Sequence, residues 1–197
     1  MLGKIELLDA VAPSNRGLNS SPSDRTAIGA AAAMLEGRNP TPDPLQATEL
    51  LNGDWRLLYT TSQELLNIDR VPFASLGPIY QCIRLAENRI YNIAEVNGPP
   101  LLSGLVSVSA TLEPVSTRRV NVRFERGVVG LRQPLGYQSP AQFIQALETT
   151  PKFSLLQGID FRLNSDRSSG WLEVTYLDQD LRIGRGNQGS LFVLQKV

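Results

Sequence analysis

The chain has 197 residues, of which 42% are hydrophobic and 19% charged, so it is long enough for one domain with a sizeable core. Its 19 basic and 19 acidic residues cancel, which argues against a nucleic-acid partner because no general positive field attracts a polyanion. The chain contains no histidine, which excludes Ser-His-Asp and Cys-His mechanisms and removes the commonest metal ligand.

The single cysteine, Cys82, excludes an intrachain disulfide and is predicted to be a small buried apolar residue. The first residues carry Glu6 and Asp9 within their apolar stretch, unlike a secretory signal. No run approaches the roughly 18 apolar residues of a membrane-spanning helix. We therefore expect a protein without a transmembrane segment that is still able to lie against a membrane.

The first 53 residues are predicted to be helical and to pack on the remainder. Three apolar residues spaced three apart would form one face of a short first helix: Leu2, Ile5 and Leu8. A second, alanine-rich helix is predicted between Ser21, a capping residue, and Gly37. Its small side chains suit close packing within the protein rather than insertion into lipid.

The pattern of capping residue, proline and polar residue recurs twice more. Asp43 is predicted to start a brief third helix that ends at Asn52. Ser139 is predicted to start a helical insertion over residues 139–149. The apolar stripe of this insertion would consist of Phe143, Ile144 and Leu147.

From Trp55 onward, short β segments alternate with turn residues. We predict nine strands, near residues 54–62, 79–85, 89–97, 101–112, 117–126, 157–163, 170–177, 180–184 and 189–196. Consecutive antiparallel strands with short turns close most economically into a barrel, which removes exposed edges. The predicted fold is therefore mainly β: an antiparallel barrel of about eight or nine strands over residues 54–197, with N-terminal helices and one helical insertion.

Three glycines lie in the C-terminal run GRGNQGS, between two apolar β segments: Gly184, Gly186 and Gly189. A phosphate-binding loop would need a following helix, and a lysine with Ser or Thr after the last glycine. The segment that follows, SLFVLQKV, is β-prone and lacks that lysine. The run is therefore predicted to be a hairpin turn rather than a nucleotide site.

Four charges lie within eight positions beside this run: Asp178, Asp180, Arg182 and Arg185. Two carboxylates two positions apart on a strand would face the same side. The nearby arginines would keep both carboxylates ionised, which makes them unsuited to donating a proton. We predict a salt-bridged latch that holds the last hairpin.

Two stretches resemble the plastid lipid-associated protein family, also called fibrillins or plastoglobulins: LNGDWRLLYTTS at residues 51–62 and GWLEVTYLDQDLRIGRGNQGSLFVL at 170–194. The NPTP element and the segment LGPIYQ agree with it, and the resemblance covers nearly the whole chain. It implies a lipocalin-like barrel that binds isoprenoid quinones, carotenoids or other lipids and associates with thylakoids or lipid droplets.

The lipocalin similarity rests on Gly53 and Trp55, which match the Gly-x-Trp at the entry to the first barrel strand. In that superfamily a late arginine packs over this tryptophan, and either Arg182 or Arg185 is a candidate. The resemblance thus implies a barrel-closing role for this charged run, including Asp178 and Asp180. The lipocalin Thr-Asp-Tyr motif is missing here, which limits the transfer of detailed ligand geometry.

The leading hypothesis is a non-enzymatic carrier for an isoprenoid quinone, carotenoid or lipid at photosynthetic membranes, with no cofactor required. The candidate ligand-binding residues are apolar or aromatic: Tyr59, Phe73, Leu76, Tyr80, Phe124, Tyr176 and Phe192. The apolar segment at residues 71–78 would gate the ligand, dip into a membrane or fold over the end of the barrel.

One alternative is a scaffold or assembly factor that docks on a photosynthetic complex and has a side-chain-filled barrel. Its acidic partner would contact an arginine cluster, which otherwise forms a solvated strand face: Arg118, Arg119, Arg123, Arg126 and Arg132. A third hypothesis is a chromophore lyase, although no catalytic acid or base is identifiable. Without a Ser- and Arg-rich transit peptide, the expected location is the thylakoid surface or cytoplasm of a cyanobacterium, or the stroma or plastoglobule for a trimmed plant protein.

Overall fold

The computed structural model describes residues 3–62, 75–99, 101–164 and 169–197. It contains nine strands: β1 Gly53–Thr60, β2 Ser75–Arg84, β3 Arg89–Asn97, β4 Gly104–Pro114, β5 Arg119–Leu131, β6 Ile159–Arg162, β7 Ser169–Leu177, β8 Leu181–Gly186 and β9 Leu191–Lys196. The helices are α1 Lys4–Val11, α2 Pro22–Glu36, α3 Thr48–Leu51 and α4 Pro140–Thr149.

Eight of the strands close into an antiparallel barrel. Their order is β1-β2-β3-β4-β5-β7-β8-β9, and the pairing of β9 with β1 completes the circle. The ninth strand, β6, lies outside this circle, because it pairs with residues 126–129 of β5 whereas β7 pairs with residues 119–123. The predicted fold, a mainly β barrel with N-terminal helices and one helical insertion, is confirmed.

The strand predictions differ from the structure chiefly at the ends of the long strands. Strand β2 starts at Ser75, four residues before the predicted start, and β5 runs to Leu131, five residues beyond the predicted end. The long β4–β5 ladder accounts for the second difference, since it pairs Gly104 with Leu131 and Pro114 with Val120.

Two predicted helix starts are confirmed by their caps. At α2 the Ser21 hydroxyl accepts from Asp24 N at 3.2 Å, and Ser21 N donates to the Asp24 carboxylate at 2.9 Å. At α4 the Ser139 hydroxyl accepts from Gln142 N at 3.3 Å. Both helices therefore begin where their sequences satisfy otherwise unpaired N–H groups.

The predicted apolar face of α1 was wrong. Ile5 is 68% exposed, while Leu7 and Val11 are buried and Leu8 packs partly; Leu2 lies outside the described residues. A short helix with apolar residues at 5, 7, 8 and 11 offers two overlapping stripes, and contact with α2 and the barrel wall selects the stripe that ends at Val11.

The predicted start of the third helix was also wrong. Helix α3 begins at Thr48 without a side-chain cap, five residues after Asp43. Asp43 instead accepts from Gln46 N in a turn, and Leu45 N donates to Thr117 O in the β4–β5 connection at 3.0 Å. This tertiary hydrogen bond holds residues 43–47 in turns and delays the helix.

Three apolar layers organise the molecule. The barrel interior contains the first, around Trp55 and Leu57. The second lies between the outer wall and helices α1 and α2, and the third between the opposite wall and α4. In the part of the chain that the structure describes, no helix has the length and apolar character needed to cross a membrane.

Candidate functional site

A cavity of about 380 Å³ opens at one end of the barrel, and we take it as the candidate site. Its apolar lining consists of Ile90, Val122, Phe124, Trp171, Leu172 and Phe192. Its polar lining consists of Thr61, Ser62, Gln81, Asn92, Asn187, Gln188 and Ser190. An apolar cavity with a few polar groups is typical of small-molecule sites, whose volumes run from roughly 300 to 1,000 Å³.

Strand alternation places these side chains inside the barrel. On β5, Val122 and Phe124 are two positions apart and share the inner face, and on β9 Phe192 and Leu194 do the same. The glycines of β8 leave room for them: a Cβ at Gly186 would lie 3.0 Å from the ring of Phe192. The predicted hairpin is thus present, and its Gly186 leaves room for the ring of Phe192 within the barrel.

Trp55 closes the other end of the barrel interior. It is fully buried, and its indole N–H donates to Leu51 O at 2.9 Å, which ties α3 to β1. The Arg182 guanidinium carbon lies 5.0 Å from the ring centroid, and Lys196 Nζ lies 5.3 Å from it. Of the two arginines that the resemblance offered, Arg182 is the one over Trp55.

Gly53 enters β1 with φ of +127°, a conformation that L side chains rarely adopt. A Cβ there would lie 3.2 Å from the Lys196 side chain. The Gly-x-Trp pair therefore combines a backbone position that requires glycine with the residue that fills the closed end.

Arg182 is 1% exposed and lies inside the barrel. Burial lowers its pKa to about 9, which still leaves the guanidinium charged at neutral pH. One of its terminal nitrogens donates to Gln81 Oε1, and its Nε and Nη1 atoms have no partner among the described residues. Gln81 Nε2 donates in turn to Asn92 Oδ1 at 3.1 Å.

Sequence reasoning missed Gln81 and Asn92. The sequence feature that identifies them is a polar residue at a strand position that faces the barrel interior. Gln81 lies between Ile79 and Ile83 on β2, and Asn92 lies between Ile90 and Ala94 on β3, where apolar neighbours on both sides mark the inner face.

The remaining charges of the C-terminal run tie the β7–β8 hairpin to the N-terminal helices. Lys4 Nζ on α1 lies 2.8 Å from the Asp178 carboxylate and also contacts Asp180. Arg185 makes two hydrogen bonds of 2.9 Å to the Glu36 carboxylate at the end of α2. The carboxylates of the hairpin thus pair with α1, and its outward arginine pairs with α2.

The Asp178 carboxylate accepts several hydrogen bonds within this hairpin. Its oxygens accept from the Tyr176 hydroxyl at 2.7 Å and from two backbone N–H groups, those of Asp180 and Leu181. Burial alone would raise the pKa of Asp178, but the hydrogen bonds from Lys4, Tyr176 and the backbone outweigh it and hold the pKa well below its usual range.

The predicted ligand-binding residues fall in different places. Phe124 and Phe192 line the barrel cavity. Leu76 belongs to the interior cluster, and Tyr80 packs at the α4 layer on the outer wall. Phe73 lies outside the described residues, as does the first half of the segment at 71–78.

Tyr59 and Tyr176 lie on the outer wall beneath α1 and α2. Simple alternation from Trp55 and Leu57 would place Tyr59 inside. The β1–β9 register shifts between Leu57 and Tyr59, and the β7–β8 register shifts between Val174 and Tyr176. Each bulge reverses the alternation, so each tyrosine faces the helices.

A larger cavity of about 710 Å³ lies on the outer wall beside α4. Its lining includes the ion pair of Arg126 and Asp160, whose atoms approach to 2.6 Å, and Glu148, which accepts from the Tyr91 hydroxyl at 2.9 Å. These charges are engaged in holding α4 and β6 to the barrel, so this cavity is less suited to an apolar ligand.

The predicted arginine cluster is engaged within the chain. Arg123 pairs with Glu113 at 2.7 Å, Arg132 pairs with Glu95 at 2.9 Å, and Arg118 Nε donates to Pro42 O at 2.7 Å. Arg119 stacks over Trp171 at 3.9 Å, and Arg126 binds Asp160 as above. The five side chains therefore serve five separate contacts.

An apolar patch covers the surface around β6 and the ends of β4 and β5. It comprises eight exposed residues: Leu101, Leu102, Val129, Leu131, Leu155, Leu156, Ile159 and Phe161. Leu155 and Leu156 are 89% and 92% exposed and line one groove with Val129, Leu131 and Ile159. Leu101 adopts φ of +69°, which is strained for a leucine.

A model of the PAP_fibrillin family matches residues 1–195. The probable plastid-lipid-associated protein 2, chloroplastic, of Arabidopsis thaliana is 34% identical, with 98% of this chain and 70% of the relative covered. Plastid lipid-associated protein 2 of Brassica campestris is 35% identical over 98% and 68%, and the chromoplast-specific carotenoid-associated protein of Cucumis sativus is 33% identical over 98% and 67%. No solved structure gives a significant match.

Proposed function

Because the chain belongs to the PAP_fibrillin family, we propose that its barrel binds a hydrophobic small molecule without chemical change, in the class of isoprenoid quinones, carotenoids and lipids. The cavity of about 380 Å³ carries this proposal, since two phenylalanines line it within the circle of eight strands and Trp171 lies at its mouth. The relatives named as lipid- and carotenoid-associated proteins support the same class of ligand.

The cavity limits the part of the ligand that is enclosed. Its volume lies in the lower part of the range for small-molecule sites. It would bury a ring or a short chain, and each buried CH₂ would contribute about 0.8 kcal/mol. A longer polyene or prenyl tail would extend past Thr61, Ser62 and Ser190 at the end opposite Trp55.

The first test is mass spectrometry of an organic extract of the protein purified from its native host. We expect one quinone, carotenoid or lipid per chain. Val122→Phe adds a ring inside the cavity and should lower the ligand content at least tenfold. Val115→Phe is the matched control, because Val115 is 58% exposed and does not line the cavity.

An empty extract from folded protein would contradict the carrier function. It would favour the scaffold alternative, in which a protein partner in a photosynthetic complex is bound by a barrel filled with its own side chains. Equal ligand content in Val122→Phe and Val115→Phe would place the cargo outside this cavity.

The apolar patch favours a second function, docking on a lipid surface such as a photosynthetic membrane or a lipid droplet. Patches larger than a few hundred Å² on soluble proteins mark interaction sites. Lys152 and Arg162 are exposed beside it, and basic residues strengthen attraction to anionic lipids. A strained, exposed Leu101 fits the same role, because strain concentrates at functional surfaces.

Flotation with vesicles that contain anionic lipid tests this docking. Replacing Leu155 and Leu156 by serine should reduce the bound fraction at least fivefold, because both leucines would leave water on docking. The matched control replaces two exposed apolar residues elsewhere, Ile5 and Val115, by serine. Equal loss in both double variants, or no loss in either, would contradict docking through the patch.

A further inference from the structure

The barrel interior contains a buried cation that has no anionic partner in the part of the chain that the structure describes. Arg182 is 1% exposed, and none of the described carboxylates lies within salt-bridge distance of it. A buried charge normally requires pairing, since desolvation costs several kcal/mol. Gln81 supplies one acceptor, while Nε and Nη1 of the guanidinium are buried and have no hydrogen-bond partner among the described residues.

This cation fixes the orientation of the Gln81 amide. A guanidinium has only N–H donors, so the atom of Gln81 that faces Arg182 must be the carbonyl oxygen. The amide nitrogen then faces the other way, where it donates to Asn92 Oδ1 at 3.1 Å. The donor-only guanidinium therefore determines which way the Gln81 amide faces.

The same reasoning extends to Asn92. Its oxygen is occupied by Gln81 Nε2, so its own NH₂ group points elsewhere. No described residue accepts a hydrogen bond from this NH₂ group, and Asn92 lines the cavity together with Gln81. The series of hydrogen bonds from Arg182 through Gln81 to Asn92 therefore ends in the N–H donors of Asn92 at the wall of the cavity.

We propose that the cavity selects apolar molecules that carry a hydrogen-bond-accepting oxygen, such as a carbonyl or a carboxylate, and that Gln81 and Asn92 are the residues that recognise it. This inference rests on the proposed carrier function and narrows its ligand class. A pure hydrocarbon would leave the donors of Asn92 unsatisfied in a site that has lost its water. The ligand oxygen would accept a hydrogen bond from the Asn92 NH₂ group and so extend the series of hydrogen bonds that starts at Arg182.

Three probes of equal chain length separate the possibilities: dodecane, methyl dodecanoate and dodecanoate. Tryptophan fluorescence follows their binding, because Trp55 lies in the barrel interior and Trp171 at the mouth of the cavity. We expect the ester to bind roughly 3- to 10-fold more tightly than the hydrocarbon, which corresponds to one neutral hydrogen bond. Dodecanoate shows whether the buried cation adds a preference for an anionic oxygen over a neutral carbonyl.

Two variants test the residues. Asn92→Leu removes the donors and should abolish the preference for the ester while dodecane still binds. Gln81→Glu gives Arg182 a carboxylate and reverses the direction of the hydrogen bond to Asn92. Because a carboxylate only accepts, the Asn92 NH₂ group would turn towards it, and the Asn92 oxygen would then face the cavity. This variant should then prefer dodecylammonium, a donor-only probe, and should unfold at a temperature no lower than the wild type, because Arg182 gains a partner.

The outcomes are distinguishable. If none of the three probes binds the wild type, the carrier function itself fails and this inference fails with it. If dodecane binds as tightly as the ester, the carrier function stands and the inference is overturned. A folded Gln81→Glu protein that keeps the wild-type preference would also overturn it.

Discussion

At the scale of single residues, Asp178 shows how one side chain joins separate parts of the chain. It accepts hydrogen bonds from α1, from the end of β7 and from its own turn, so it connects Lys4 with Tyr176 and Leu181. Its side chain is only 15% exposed, so these bonds are shielded from water more than surface pairs are. The residue stabilises the fold through its charge as well as its shape.

Asp178→Asn should lower the free energy of unfolding by about 1–3 kcal/mol at pH 7, because a neutral amide would replace the charged carboxylate as the hydrogen-bonding group. The folded pKa of Asp178 is depressed, so its contribution is complete above the unfolded pKa of about 4 and disappears as the pH falls through the folded value. Urea titrations at pH 7, 5 and 3 would therefore show a difference between wild type and variant that shrinks at acid pH.

The control for this experiment is Asp9→Asn, which neutralises an exposed aspartate on α1. It should change the free energy of unfolding by less than about 0.5 kcal/mol. A difference between wild type and Asp178→Asn that grows towards acid pH would contradict the role assigned to this carboxylate.

At the scale of elements, the glycines of β8 determine how the barrel interior is filled. Gly184 and Gly186 face inward, where a Cβ would meet Leu172 at 3.3 Å and Phe192 at 3.0 Å. The strand therefore contributes backbone and space to the interior wall, while its neighbours supply the side chains. A larger residue there would compete with the ring of Phe192 for the cavity.

Gly186→Ala should destabilise the protein by about 1–3 kcal/mol, because the Phe192 ring must move. Gly29→Ala is the matched control, since Gly29 lies within α2 with no atom near the added methyl group. That variant should stabilise the protein by about 0.5–1 kcal/mol through helix propensity. Thermal denaturation of the two variants should thus give shifts of opposite sign, and shifts of the same sign would contradict the packing described.

The same elements show what the sequence predicts and what it does not. All nine strands and the caps at Ser21 and Ser139 follow from local patterns, because alternation and capping depend on neighbours in the chain. The bulges before Tyr59 and Tyr176 depend on pairing with another strand, and each reverses which face a tyrosine occupies. Phe124 and Phe192 follow from alternation and line the cavity, and the same alternation places Gln81 and Asn92 on the inner face, but the hydrogen bond between these two side chains depends on the pairing of β2 with β3.

At the scale of the whole molecule, the helices cover two outer walls of the barrel. Cys82, the single cysteine, is completely buried in the apolar layer between the barrel wall and α4. Burial raises the pKa of its thiol, so both access and ionisation suppress its reactivity. The thiol therefore reports the opening of this layer.

Ser139→Ala removes the cap of α4 and should cost about 1 kcal/mol of helix stability. The rate of Cys82 modification by a thiol reagent should then rise about fivefold. Ser21→Ala removes the equivalent cap of α2 on the other wall and serves as the control. A smaller effect of Ser21→Ala is expected if the α4 layer opens by itself, and equal acceleration would mean that the thiol is exposed only when the whole barrel unfolds.

Strand β6 has a further consequence for how such a barrel tolerates change in length. It pairs with residues 126–129 of β5, and the circle of eight strands is complete without it. Residues inserted before or after β6 lengthen a connection and leave every barrel pairing intact, and the entropy of closing a connection rises only slowly with its length. The segment from α4 to β7 is thus the part of the molecule where insertions and deletions are best accommodated.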